Sequence, residues 1–119
     1  MTFTFYDNNG KPIAYTEDNI HIYLFSGKAV AYIDGDSIYN YNGNHLGFFE
    51  NGWARDHDGA CVFFTENASG VGPIKPIKRV KPIKGIKSIK PIKKIKQIRP
   101  LKPIKGLVWS QLSGINFFY

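Results

Sequence analysis

A strict three-residue repeat in residues 73–107 constrains what this chain can fold into more than any other feature. Each triplet holds a variable residue, then an aliphatic residue and then, in all but the last triplet, a lysine or an arginine. A period of three matches neither the 3.6-residue turn of an α-helix nor the two-residue alternation of a β-strand. Six prolines stand at the variable positions and would interrupt an α-helix repeatedly. The repeat therefore predicts a polyproline II rod, which has three residues per turn and no internal hydrogen bonds.

The rod predicted for residues 73–107, here called the tail, has three edges. Its aliphatic edge carries twelve side chains from Ile74 to Leu107, and a disordered tail has no use for such an unbroken aliphatic stripe. We expect these side chains to pack inward on the first half of the chain, with another copy of the tail as the alternative. At about 3.1 Å per residue the tail would span roughly 110 Å, enough for a ring about 35 Å across. Its basic edge is the candidate site for polyanions and consists of Lys75, Lys78, Lys81, Lys84, Lys87, Lys90, Lys93, Lys96, Arg99, Lys102 and Lys105.

The first half of the chain is a fourfold repeat of glycine turns. Gly10, Gly27, Gly43 and Gly59 recur at spacings of 17, 16 and 16 residues, and three of them follow Asn or Asp. Asn-Gly and Asp-Gly favour tight hairpins, and the apolar residues that follow at alternate positions turn one strand face inward. We predict an all-β domain of four antiparallel β-hairpins around a pseudo-fourfold axis, closed like a shallow barrel so that no strand edge stays exposed.

The tail has a second period that matches the hairpin count. Pro73, Pro82, Pro91 and Pro100 lie nine residues apart, which divides the tail into four nonapeptides. Four nonapeptides for four hairpins suggest that the tail wraps the domain once. The sequence leaves open whether the wrapped domain belongs to the same chain or to a neighbour, since a swapped tail would make the same contacts.

The two halves of the chain carry opposite charge. All nine acidic residues lie within residues 1–66, together with three basic ones, whereas the tail holds thirteen basic residues and no acidic one. The tail therefore either neutralises its own domain or binds an anionic partner, with nucleic acid and an anionic lipid surface as the two candidates.

The last segment, residues 108–119, is rich in aromatic residues and too short to fold alone. We expect it to act as a latch that docks on the β domain, with binding to a partner as the alternative. Its candidate docking residues are Trp109, Leu112, Phe117 and Phe118. The chain thus divides into a β domain (1–68), the basic triplet region (69–107) and the latch (108–119).

Few residues of this chain have the character of a reactive site. Asp56, His57 and Asp58 precede Gly59 in the fourth hairpin turn, where such residues tolerate the backbone conformation. His21, His45 and His57 lack the spacing of zinc ligands, and Cys61 lies in an apolar strand as a buried thiol would. We predict no catalytic residue, no cofactor and no metal site. The single cysteine and the lack of an apolar run long enough to span a bilayer predict a cytoplasmic protein.

The combination of these motifs resembles one known family. The hairpin Tyr6-Asp7-Asn8-Asn9-Gly10 with its three copies, the basic tail, and the latch motifs Trp109-Ser110-x-Leu112-Ser113 and Phe117-Phe118 are similar to the bacterial four-fold β-flower family over nearly the whole chain. The resemblance implies four hairpin petals and carries over no activity and no site residue. We expect a non-enzymatic structural or interaction module that binds a protein partner or itself through the tail. The alternative is a polyanion-binding protein.

Overall fold

A computed structural model describes residues 2–119 and contains eight short β-strands. Consecutive strands pair antiparallel all the way round, and β1 pairs with β8 through Tyr6 and Phe64, which closes the barrel. The predicted all-β fold of four hairpins is confirmed. The strands are β1 (Phe3–Tyr6), β2 (Pro12–Thr16), β3 (His21–Leu24), β4 (Ala29–Asp34), β5 (Ser37–Asn40), β6 (His45–Glu50), β7 (Trp53–Arg55) and β8 (Cys61–Phe64).

Each hairpin repeats the same irregularity just before its turn. The pairing register shifts at Phe5/Tyr6, Ile22/Tyr23, Ile38/Tyr39 and Ala54/Arg55. An extra residue on one strand increases the local twist and bends the hairpin. The turn glycines that follow have φ between 77° and 99°, a backbone conformation that favours glycine. The fourfold sequence repeat is therefore also a fourfold repeat of backbone geometry.

The barrel interior holds large residues of the first strands, such as Phe5, Ile22 and Ile38, together with the residues four positions after each turn glycine and the latch. Three of these four positions hold the small residues Ala14, Ala31 and Gly47, and the fourth holds Phe63. Phe63 packs edge-on against the ring of Phe117, with 5.6 Å between the ring centroids. A Cβ on Gly47 would lie 2.1 Å from the carbonyl oxygen of Arg55 and 3.2 Å from the Phe117 ring, so the glycine leaves space first for the neighbouring backbone and then for the latch.

The latch ends in a 3₁₀ helix, Ile115–Phe118, that plugs the barrel. Phe117 and Phe118 are buried in the main hydrophobic core. Trp109 packs against Trp53 and Phe64 on the outer face of the last hairpin. Leu112, the fourth residue expected to dock, stays 44% exposed, so three of the four lie against the domain, at two separate places.

The tail runs as an extended rod past all four hairpin turns of its own domain. The carbonyl groups of Ile77, Ile86, Ile95 and Ile104 lie directly against the four turn glycines, so that a Cβ on any of these glycines would lie within 2.1 Å of a carbonyl oxygen. The four isoleucines are nine residues apart, which places one nonapeptide at each hairpin. The resulting molecule measures 36 × 35 × 24 Å.

The expectation that the aliphatic edge packs inward is wrong. Eleven of its twelve side chains are 90–97% exposed, and Leu107 is 67% exposed. The backbone at the variable positions faces the domain instead, because the tail must bring its N–H groups into contact with the hairpin turns. An inward isoleucine would hold the rod away from the turn glycines and leave its N–H groups without acceptors.

Candidate functional site: the three edges of the tail

The inner edge of the tail is attached to the domain by backbone hydrogen bonds. Six of the twelve variable positions are prolines, which have no N–H group, and the other six all donate to hairpin carbonyls over 2.7–3.1 Å. A residue with an N–H group therefore occupies each variable position that bonds a hairpin carbonyl, and proline occupies the variable positions that do not. The donor and acceptor pairs are Arg79 with Gly10, Gly85 with Phe25, Ser88 with Gly27, Lys94 with Tyr41, Gln97 with Gly43, and Gly106 with Gly59.

Two inner-edge side chains accept hydrogen bonds from strand N–H groups, as a neighbouring strand would. The Oγ atom of Ser88 accepts the N–H of Ala29 over 3.0 Å, and the Oε1 atom of Gln97 accepts the N–H of His45 over 2.8 Å. These two backbone N–H groups belong to the first residues of β4 and β6 and have no sheet neighbour on that side. Small polar residues on the tail therefore satisfy donors that the hairpins expose.

The basic edge lies over the outward-facing aromatic rings of the strands. Six cationic groups stand 4.3–6.0 Å from ring centroids, within the range of a cation–π interaction. The long side chains also cover these rings, which explains why tyrosines on the outer barrel surface are buried. The pairs are Lys78 with Tyr6, Lys84 with Tyr15, Lys87 with Tyr23, Lys93 with Tyr32, Lys96 with Tyr39, and Arg99 with Phe48.

The same edge forms ion pairs with the acidic domain. Arg99 binds both carboxylate oxygens of Asp36 over 2.7 and 2.8 Å, and Lys102 approaches Asp36 to 2.5 Å. Hydrogen bonds from Lys102 and then Arg99 hold the pKa of Asp36 below its usual range. The other pairs join Lys81 to Glu66, Lys84 and Lys87 to Glu17, Lys96 to Asp34, and Lys102 and Lys105 to Glu50.

Seven of the eleven basic-edge residues predicted to bind polyanions therefore already contact a carboxylate of the same chain. The remaining four have other surroundings. Lys75 donates to the carbonyl of Ala68, and Lys78 and Lys93 lie over tyrosine rings. Lys90 forms no ion pair within residues 2–119.

Arg55 joins the two ends of the ring, a role that the sequence analysis missed. Its guanidinium donates to the carbonyls of Gly59 (2.7 Å), Gly106 (2.9 Å) and Val71. Val71 precedes the tail and Gly106 lies at its end, so one buried side chain holds both. The signal was present in the repeat: the other three hairpins have tyrosine at this position, and only the fourth has arginine.

The residues considered for catalysis pack against their own neighbours. The Nδ1 atom of His45 lies 2.9 Å from the Nε2 atom of His57, and its own Nε2 lies 3.0 Å from the Oγ atom of Ser37. Burial, followed by the proximity of the His57 ring and of the Arg99 guanidinium, lowers the pKa of His45 to about 4. Burial raises the pKa of the Cys61 thiol to about 11, and Asp56 accepts a hydrogen bond from the Ser110 hydroxyl over 2.6 Å.

The fold and the tail define a class of small proteins in which four hairpins close a barrel and a basic rod encircles it. The sequence model of the family described as "4-fold beta flower protein" matches residues 3–118, and the chain belongs to this family. Neither the curated proteins nor the solved structures contain a match. Between residues 2 and 119 no helix is long and apolar enough to cross a bilayer, and no three potential metal ligands lie together.

Proposed function

We propose that this β-flower protein is a non-enzymatic interaction module whose contact surface is the aliphatic edge of the tail. One observation carries the proposal: eleven aliphatic side chains are at least 90% exposed on a rod that is hydrogen-bonded to its domain. Soluble monomers rarely expose large apolar surfaces, and those that do commonly use them for binding.

The energy that such a surface offers is large. Burying one aliphatic side chain contributes about 1.5–3 kcal/mol, so docking only four of the eleven would contribute roughly 6–12 kcal/mol before association costs. Binding need not order the tail, because six backbone hydrogen bonds already hold it in place before any partner arrives. A rigid aliphatic edge is thus suited to binding a partner, and its side chains do not pack against the rest of the chain.

Nucleic-acid binding through the basic edge has less support. Seven of the eleven candidate residues already contact carboxylates of the domain. A nucleic acid bound there would have to displace these pairs and would leave the aliphatic edge in water. The use of the basic edge to attach the tail explains its regular spacing without an external ligand.

The surroundings of the titratable side chains support the proposal that the module is not an enzyme. A catalytic site needs reactive groups that converge on a space for substrate. Here His45 and Cys61, whose pKa values are strongly shifted, are buried among packed side chains. The buried, unpaired Cys61 is also compatible with a reducing compartment, and we propose the cytoplasm as the location.

Site-specific photo-crosslinking in cells that produce the protein tests the proposed contact surface. A photoreactive phenylalanine analogue replaces Ile89 on the aliphatic edge, and Gln111 in the latch serves as the exposed control position. We expect protein or lipid adducts at position 89 well above those at position 111, and we expect Ile86→Ser with Ile92→Ser to suppress them. Equal adduct yields at both positions would exclude the aliphatic edge as a contact surface.

A further inference from the structure

The tail keeps a surplus of positive charge after pairing with the carboxylates of the β domain. Of its thirteen basic residues, seven contact a carboxylate of the domain. The net charge of +7 reflects this surplus. The six tail residues that form no carboxylate pair within residues 2–119 are Lys75, Lys78, Arg79, Lys90, Lys93 and Lys94.

These unpaired cations fall in two short stretches, residues 75–79 and residues 90–94. Both stretches include or adjoin fully exposed aliphatic residues, such as Ile77 in the first and Ile92 in the second. Two segments of the tail thus present aliphatic side chains and unneutralised cations side by side. This combination is typical of protein segments that lie in the interface of an anionic membrane.

The aliphatic side chains form a row of separate projections along the tail and not a continuous flat patch. Its side chains repeat about every 9 Å along the rod, and exposure of 90% or more means that each one stands apart from its neighbours. A folded protein partner would need a row of sockets at the same spacing. A fluid bilayer accepts separate aliphatic side chains at any spacing, because the acyl chains rearrange around each one.

We propose that the tail docks on an anionic lipid bilayer, with its isoleucines in the boundary between headgroups and acyl chains and its unpaired cations at the lipid phosphates and carboxylates. This inference rests on the proposed function and names its partner. Charge separates the bilayer from two other partners. A second copy would bring +7 against +7, and a nucleic acid would engage the cations but not the isoleucines.

Co-sedimentation of the full chain with large unilamellar vesicles tests this docking. The vesicles are made of phosphatidylcholine alone or with about 30% phosphatidylserine, a composition rich enough in anionic lipid to attract basic residues. One variant combines Ile89→Ser, Ile92→Ser and Ile95→Ser on the aliphatic edge. The matched control is Ile20→Ser, which removes an exposed isoleucine that lies outside the tail.

A second variant, Lys90→Gln with Lys94→Gln, removes surplus charge without loss of any ion pair or ring contact made by these two side chains within residues 2–119. We expect binding to the anionic vesicles, weakened at least about tenfold by the isoleucine variant and about fivefold by the lysine variant. The control Ile20→Ser should bind like the wild type, and circular dichroism checks that all variants fold.

Three results would overturn the docking. The chain could fail to bind anionic vesicles, or it could bind them equally well without the three isoleucines, which would show attraction by charge alone. It could also self-associate through these isoleucines, by analytical ultracentrifugation, without binding vesicles. That third result would make the edge an interface between copies and would leave the proposed function intact, whereas equal crosslinking at positions 89 and 111 would overturn the proposed function itself.

Discussion

Replacing Gly10 with alanine should detach the tail from the first hairpin. The new Cβ would lie 2.0 Å from the carbonyl oxygen of Ile77, about 1 Å closer than such atoms approach in folded proteins, so the rod must move outward. That movement breaks the hydrogen bond from the Arg79 N–H to the Gly10 carbonyl, which contributes about 0.5–1.5 kcal/mol. It also weakens the contact of Lys78 with the Tyr6 ring, worth about 0.5–1 kcal/mol.

Backbone strain adds to this loss and must be measured separately. Gly10 has φ 77°, where alanine costs about 1–2 kcal/mol, partly offset by a less flexible unfolded chain. Gly70 and Gly35 provide matched controls, because they have φ 75° and 63° and a Cβ on either would meet nothing within 4 Å. Gly35→Ala and Gly70→Ala therefore measure the backbone strain alone, which should lower the free energy of unfolding by about 1 kcal/mol. Gly10→Ala should lower it by about 1–3 kcal/mol more.

Urea unfolding followed by tryptophan fluorescence measures the three free energies of unfolding. Trp53 and Trp109 pack on the last hairpin and report on the barrel and the latch together. Hydrogen exchange should also show faster exchange at residues 76–81 in Gly10→Ala but not in either control. If Gly10→Ala and Gly35→Ala lose the same free energy, the close contact between tail and turn does not exist in solution.

Three further changes test other parts of the structure. Arg55→Met leaves the carbonyls of Val71 and Gly106 without this donor, whereas Gly59 keeps the Gly106 N–H, and should lower the free energy of unfolding by about 2–4 kcal/mol in the same urea assay; an unchanged midpoint would mean that the ring ends are held otherwise. Ser88→Pro removes a docking N–H and should cost about 1–3 kcal/mol, whereas Ile89→Pro on the outward edge should cost little, and equal losses would contradict the assignment of edges. Because the unfolded chain protonates His45 near pH 6.5 and the folded chain only near pH 4, stability should fall by up to about 3 kcal/mol as the pH drops between these values; His45→Gln should flatten this dependence in thermal melts, and an unchanged pH dependence would contradict the buried neutral imidazole.

The sequence repeats predicted the architecture because they reflect local geometry. Gly27 and its equivalents fix tight turns through their positive φ, and the nine-residue proline period sets one segment of tail for each turn. Neither conclusion depends on long-range packing. The count of hairpins, the extended rod and the ring of about 35 Å could therefore be derived before any coordinates.

The orientation of the tail could not be derived by weighing hydrophobic burial alone. That argument placed the isoleucines inside, but a polyproline II rod has no internal hydrogen bonds and must satisfy its N–H groups elsewhere. The six variable positions without proline, among them Ser88 and Gln97, are the ones that donate to the domain. The proline pattern therefore contained the orientation, and a count of donors would have revealed it.

Other contacts depend on which hairpins become neighbours. His45 and His57 are twelve residues apart and meet because β6 and the fourth hairpin lie side by side in the closed barrel. The contact of Arg55 with both ends of the tail requires the ring to close at the last hairpin. Such contacts follow from the closed topology. The repeats predict that the barrel closes, but they do not predict which side chains meet in it.

Residue-resolved amide hydrogen exchange across the tail tests the central claim most directly. A polyproline II rod protects no amide by itself, so every slow amide must be docked on the domain. We predict slow exchange at only six tail positions, independent of protein concentration, with exchange near the free-chain rate at the isoleucines. Uniformly fast exchange would contradict the docked ring, and slow exchange at the isoleucines would contradict its orientation. The six amides expected to be slow are Arg79, Gly85, Ser88, Lys94, Gln97 and Gly106.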